Sequence, residues 1–232
     1  MRVFNFSGGM TSAYMTIKYY QPNDLVIFCD TGREHELTYK FINDFEKYES
    51  IKIIRLKYEG GFEKLIENKK AIPNNFKRFC TIELKVKTCR RFLRSQGIIK
   101  YENFIGFRYD EPLRVKRRKQ YWKQVKDVFP LYEDKIEKKH IIEYWKNKPY
   151  NLEIPSILGN CTLCFLKGKN AIINILSNYP ELAEPWINDE IKMNKTYFNG
   201  ISIQQLKNIA INNLFNQSLE NIDPAFNCDC NS

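Results

Sequence analysis

The sequence predicts an α/β protein: an open, mostly parallel twisted sheet with flanking helices and a mainly helical C-terminal portion. Three observations predict it. Short apolar runs alternate with amphipathic stretches through the first half of the chain. The first run stops at Ser7-Gly8-Gly9, directly before a stretch of helical pattern. No apolar run approaches the roughly 18 residues of a membrane span, and 43% hydrophobic with 28% charged residues suits a water-soluble globular chain. A chain of 232 residues is long enough to bury one sizeable core.

The elements follow in order. "RVFNF" (2–6) is β-branched and aromatic and reads as the first strand. "TSAYMTIKYY" (11–20) carries Ala13, Ile17 and Tyr20 at helical spacing, with Pro22 just beyond its end. "DLVIFCD" (24–30) is continuously apolar, as a strand buried on both faces should be. After the polar "TGREHE", the stretch 37–48 aligns Leu37, Phe41 and Phe45 on one helical stripe. "IKIIRL" (51–56) is a third strand, so right-handed crossovers and a parallel sheet are expected. A helix at 61–69 and a basic helix at 81–97, closed by Gly97, lead to a fourth strand at 102–107. Beyond Arg108 the composition turns charged, with helices expected at 137–147, 162–177, 180–192 and 202–216. With no repeat or low-complexity linker, a single domain over 1–232 is expected: an α/β core in 1–110, completed by a helical region in 111–232.

Net charge of +10 suits an anionic partner, a nucleotide or a nucleic acid. The abundance of Lys, Asn, Ile and Tyr is equally what AT-rich coding produces. The N-terminus lacks a charged-then-apolar leader, so a cytoplasmic protein is expected, in a bacterial cell or in the host cell of a phage. Seven cysteines are many for a reducing compartment. The pairs Cys161-x-x-Cys164 and Cys228-x-Cys230 suggest metal or redox chemistry rather than a disulfide framework. Cys29 and Cys89 sit inside apolar or helical patterns and read as buried thiols. With only His35 and His140, a histidine-based triad or metal site is excluded.

In an open parallel sheet, ligands bind beyond the carboxyl ends of the strands. Ser7-Gly8-Gly9 sits at such an end, where glycines let the backbone approach an oxyanion closely. The amides of Gly8, Gly9, Met10 and Thr11 and the hydroxyls of Ser7, Thr11 and Ser12 are candidate phosphate donors at a helix N-terminus.

"SGGMTS", "FCDTGREHELTYKFI" (28–42), "RFCTIELK" (78–85), "GFRYDEPLR" (106–114), "GNCTLCFLKGK" (159–169) and the terminal Cys-x-Cys occur in the order seen in one family. Together they resemble the short bacterial and phage members of the phosphoadenosine phosphosulfate (PAPS) reductase family. That family lies within the PP-loop ATP pyrophosphatase, or adenine nucleotide alpha-hydrolase, superfamily. The resemblance implies an adenine-nucleotide site formed by Ser7, Gly8, Gly9, Met10, Thr11, Ser12, Asp30, Thr31, Gly32, Arg108 and Arg114. The intact Ser-Gly-Gly resembles members that bind ATP with Mg²⁺, split it between the α and β phosphates, and adenylate or sulfur-modify an acceptor. Sulfonucleotide reductases instead use a C-terminal Glu-Cys-Gly-x-His thiol. This chain ends "NCDCNS", so Cys230 is the nearest equivalent for an alternative, thioredoxin-dependent reductase of PAPS or adenylyl sulfate. A third reading is a non-catalytic nucleotide-binding or nucleic-acid-binding protein.

Cys80, Cys161, Cys164, Cys228 and Cys230 are the candidate metal ligands, for a [4Fe–4S] cluster or, alternatively, zinc. Reductases with a cluster carry Cys-Cys where this chain has Phe79-Cys80, so either a terminal cysteine supplies the fourth ligand or Cys80, Cys161 and Cys164 hold the cluster with one iron site open to a sulfur or substrate atom. Arg108 and Arg114 offer planar forks to phosphate or sulfate oxygens, and Lys85 matches the lysine of the family's post-cysteine segment. Arg108, Lys85 and Cys230 are the candidate catalytic residues, and Asp30 a candidate for orienting Mg²⁺ or nucleotide. Asp110 and Glu111 are expected to pair with Arg114. "RVKRRKQYWKQVK" (114–126) mixes basic and aromatic residues as a nucleic-acid surface or a solvated helix face would. Expected partners are the nucleotide, a nucleic-acid or small-molecule acceptor and a thioredoxin-like reductant. Self-association stays open and a membrane is not expected.

Overall fold

The computed structural model describes residues 1–118 and 122–212. At its centre, five parallel strands run in the order β3-β2-β1-β4-β5. They are β1 (Arg2–Asn5), β2 (Leu25–Asp30), β3 (Ile53–Lys57), β4 (Tyr101–Phe104) and β5 (Val125–Val128). Helices α1 (Met10–Tyr19) and α2 (Glu36–Glu49) make the first two crossovers. The chain then returns through α3 (Gly61–Lys69), a π-helical segment Thr81–Lys87 and α4 (Thr88–Ser95), and β4 adds on the free side of β1. This reversal of direction leaves a crevice between the carboxyl ends of β1 and β4, the topological switch point of an open sheet.

Strand side chains alternate between faces. On one face Phe4, Phe6, Val26 and Phe28 pack against Met15 of α1, Phe41 and Phe45 of α2, and Trp145. On the other, Val3, Ile27, Tyr101 and Val125 meet Cys89 and Leu93 of α4. Trp145 lies on a helix, Lys138–Lys146, and its indole N–H donates to the Met10 carbonyl at 3.1 Å, tying that helix to the start of α1. A third apolar cluster joins α3 to the helices Lys169–Asn178, Glu184–Met193 and Ile203–Asn212, and includes Leu158, Cys161, Leu163 and Cys164. Gly97, at φ 73°, ends α4 as expected, with Ile98 N donating back to Leu93 O at 2.8 Å.

The structure departs from the sequence expectation in four places. The basic 114–126 stretch is not one helix face: it is divided between the end of a short helix, Pro112–Arg117, and the fifth strand. That strand reads Val-Lys-Asp-Val at the sheet edge, too short and too charged to announce itself. The 81–97 helix is continuous but opens with the π segment. The helices expected from 162 and 180 begin at Lys169 and Glu184, after 3₁₀ turns at Phe165–Lys167 and Pro180–Ala183, because Gly168 (φ 80°) and Pro180 interrupt the pattern. Cys161 and Cys164 therefore lie in a turn ahead of the helix. The last helix is described over Ile203–Asn212, and the rest of the expected 202–216 helix, like the candidates Cys228 and Cys230, lies outside the described residues. Among the described residues no helix is long and apolar enough to cross a membrane.

Candidate functional site

The β1–α1 loop is folded by its own polar groups. Ser12 is buried, and its hydroxyl accepts from Ser7 N at 3.0 Å and donates to Gly9 O at 2.9 Å, so it shapes the loop from inside. Gly8 has φ +78°, and a Cβ there would lie 2.6 Å from Thr38 Cγ2 of α2. Both the left-handed backbone and the close approach demand glycine. Gly9 caps α1, whose exposed amides begin at Met10 and Thr11.

Across the switch point the β4 exit packs on this loop. A Cβ at Gly106 would lie 3.6 Å from Ser12 Cα, and an Arg108 N–H donates to Thr11 Oγ1 at 3.5 Å. The Arg108 fork also takes both oxygens of Asp110, at 2.9 and 3.2 Å. Its guanidinium beside Asp110 holds that carboxyl below its ordinary range although burial pushes it up. Asp110 thus pairs with Arg108, while Glu111 takes the pairing with Arg114, at 2.8 Å. The Arg114 guanidinium lies 4.3 Å over the Phe107 ring.

The third wall is the loop after β2. Asp30 Oδ1 accepts from Gly32 N and from the Tyr39 hydroxyl, both at 2.7 Å, which fixes the carboxylate. Thr31 is buried, and its hydroxyl donates to Glu34 Oε2 at 2.8 Å and touches Cys161 Sγ at 3.4 Å. Glu34 bridges Cys161 through the backbone. Burial pushes the Glu34 carboxyl up, and the Lys85 ammonium opposes that shift.

Two cavities adjoin the π segment. One opens on the α4 face of the sheet, lined by Ser7, Cys29, Lys85, Cys89, Asn103 and Trp122 among others. There Asn103 donates to Asp127 Oδ1 at 2.6 Å, and Arg118 Nε donates to Asp127 Oδ2 at 2.9 Å. Cys29 and Cys89 face each other: their hydrogen bond pulls Cys29 down against burial and pushes Cys89 up. The second cavity is lined by Thr31, Cys80, Cys161 and Cys164, with Phe62, Leu84, Phe165 and Trp186 as apolar walls. Lys85, on the π segment, lines both. Below the cysteines, the buried Lys167 ammonium donates to the carbonyls of Cys161 and Thr162 at 2.9 Å each and sets the turn. Among the described residues no three His, Cys, Asp or Glu side chains converge closely enough for a single metal ion. Three of the expected cysteines, Cys80, Cys161 and Cys164, line one small apolar cavity.

Sequence reasoning missed Arg33, Glu34 and Asp189. Arg33 is buried between the rings of Phe62 and Trp186, its guanidinium 5.0 and 5.6 Å from their centres. It donates to Glu63 at 2.8 Å and to both oxygens of Asp189. His35 and His140 serve as local acceptors at helix N-termini, for Leu37 N and Glu137 N.

Residues 2–153, which span the phosphate loop, the Asp-Thr-Gly loop and Arg108, match the family model described as the phosphoadenosine phosphosulfate reductase domain. The chain belongs to this family. Membership places it among the nucleotide-binding proteins of the PP-loop superfamily. An uncharacterized nin region protein of Escherichia phage lambda is 30% identical over 74% of this chain and 68% of its own length. An uncharacterized protein of Methanocaldococcus jannaschii is 28% identical over 79% of this chain, which spans 40% of that relative. The crystal structure of phosphoadenylyl-sulfate (PAPS) reductase from Candida auris, a phosphate complex, is 15% identical with a TM-score of 0.45, over 65% of this chain and 75% of that one.

Proposed function

We propose that this chain is an enzyme that binds ATP with Mg²⁺ in the β1–β4 crevice, splits it between the α and β phosphates, and adenylates or sulfur-modifies an acceptor. One observation carries the reading: the Asp30-Thr31-Gly32 loop is a shared wall. It leaves the same end of the sheet as the phosphate loop, one strand over, and on its other side Thr31 touches Cys161 in the three-cysteine cavity. Catalysis would rest on positioning and charge: the amides of Gly9, Met10 and Thr11 and the Arg108 fork on the phosphates, Asp30 on Mg²⁺, Lys85 between the two cavities. Arg114, occupied by Glu111 and Phe107, would hold the segment after β4 in place rather than lead on the nucleotide.

Cys80, Cys161 and Cys164 are proposed to hold a [4Fe–4S] cluster, with Cys228 or Cys230 as the further ligand. The cluster would supply sulfur or a binding iron for the acceptor. Zinc held by the same cysteines is the alternative. The chain is proposed to act as one domain, since Arg33 fastens the Asp-Thr-Gly loop to the helical region.

Anaerobically purified protein should release pyrophosphate from ATP·Mg²⁺ when an acceptor is supplied, and Arg108→Ala should abolish it. Failure of the iron-replete protein to bind or split ATP would sink the reading. The family description favours a second one, in which a terminal thiol reduces an adenylyl sulfate. Thioredoxin-dependent sulfite release, lost on Cys230→Ser, would establish that instead.

A further inference from the structure

Asn74 to Lys77 form a closed turn just ahead of the cysteine cavity. Asn74 N donates to Lys77 O at 3.3 Å and Lys77 N returns to Asn74 O at 3.1 Å. The Asn74 side-chain oxygen accepts from the backbone N of Phe76 and of Lys77, each at 3.0 Å. At the tip of this turn Phe76 is 95% exposed. Aromatic rings ordinarily contribute by burial, and this one contributes none to the fold.

Its neighbours in sequence are cationic. Lys77 and Arg78 follow directly, and Lys69 and Lys70 end the preceding helix. Between Lys69 and Arg94 the sole acidic residue is Glu83, already paired with Lys69 at 2.7 Å and Lys87 at 3.0 Å. Phe76 precedes Cys80 by four residues, so at most about 14 Å of extended chain separates the ring from a cavity-lining cysteine.

We propose that Phe76 and the basic residues around it form a docking platform for a single-stranded polynucleotide. One base stacks on the Phe76 ring and adjacent phosphates meet Lys77 and its neighbours. An exposed ring serves any base, because every base has a π-face, and cations track the backbone without reading sequence. A second copy of this chain would bring the same positive charge onto itself. A membrane would gain little from one ring on a tight turn, since interfacial anchoring takes a broad apolar face. The platform points to a polynucleotide as the acceptor, and in that respect rests on the enzyme reading above. Binding itself needs no ATP, so the two readings fail separately.

The test is fluorescence anisotropy of the full chain with short labelled oligouridine and oligothymidine, without nucleotide, over a salt series. Wild type should bind, with affinity falling as salt rises. Phe76→Ala should weaken binding about fivefold to 150-fold, the range of one base stack, while Phe76→Trp retains it. Lys77→Glu should lower affinity and flatten the salt dependence. Circular dichroism of each variant should match wild type, given the exposure of both side chains. Absence of wild-type binding at low salt would overturn the proposal, as would equal affinity for Phe76→Ala. So would a Phe76-dependent attachment to phosphatidylserine vesicles or Phe76-dependent self-association with no oligonucleotide binding.

Discussion

Arg33 and Asp189 are 156 residues apart in the chain and 2.8 Å apart in space. The pair is buried, each side chain less than a twentieth exposed, and the Tyr197 hydroxyl donates to the same carboxylate at 2.7 Å. It fastens the loop after β2 to a helix of the C-terminal region. Removing Asp189 leaves the buried Arg33 only the half-exposed Glu63 as a carboxylate partner, so Asp189→Ala should cost about 3 kcal/mol in urea unfolding, the lower end for a broken buried pair. The double variant Arg33→Met with Asp189→Leu should recover much of that loss. Equal stability of Asp189→Ala and wild type would contradict the account.

Glu190, next to that pair, supplies a pH signature. Burial pushes its carboxyl up, while the backbone N–H groups of Tyr197 and Ile203, at 2.9 and 2.7 Å, pull the other way without cancelling the shift. With the folded value above the unfolded one, the folded state binds the extra proton. The linked stability is therefore fully present below about pH 4, the unfolded value, and is lost as pH rises through the folded value. Comparing Glu190→Gln with wild type, the stability advantage of wild type should be largest near the acid end and shrink towards neutrality. A difference that does not vary with pH would refute this.

Gly8 is tested by a paired substitution. Gly8→Ala combines a left-handed backbone with a 2.6 Å approach to Thr38 Cγ2, and should cost about 1–3 kcal/mol together with nucleotide affinity. Thr38→Ser removes Cγ2, so the double variant should regain part of the loss. No rescue in calorimetry would show that backbone strain alone is responsible.

For the cysteine cavity, Cys80→Ser should reduce anaerobically incorporated iron to background. Cys29→Ser and Cys89→Ser, which alter the other cavity, should leave iron content at the wild-type level. Iron loss in all three would separate metal binding from the geometry described.

The sheet was legible because its first strands are plain apolar runs and its first loop is Ser-Gly-Gly. Gly97 and the 137–147 helix were legible for equally local reasons. Arg33 was not: in "TGREHE" it looks like one more solvated charge, and only the distant Phe62, Trp186 and Asp189 make it a buried one. The fifth strand escaped because Lys126 and Asp127 break its apolar pattern, although Asp127 is the acceptor for Asn103 and Arg118. Glu34 and Lys167 escaped for the same reason as Arg33, since burial of a charge is a property of the neighbours.

The π segment Thr81–Lys87 has a consequence for insertions and deletions. An i→i+5 loop takes in one more residue than an i→i+4 loop, so the π segment absorbs that residue while Cys80 on one side and Cys89 and Leu93 on the other keep their faces. Deleting one residue there, such as the exposed Ile82, would collapse the π turn to an α turn and leave those faces nearly unchanged. Deleting one from the regular turns of α4 would instead rotate everything beyond it by about 100° and take Leu93 off the sheet. The π segment is the stretch of this helix where a length change is tolerated between the two chambers.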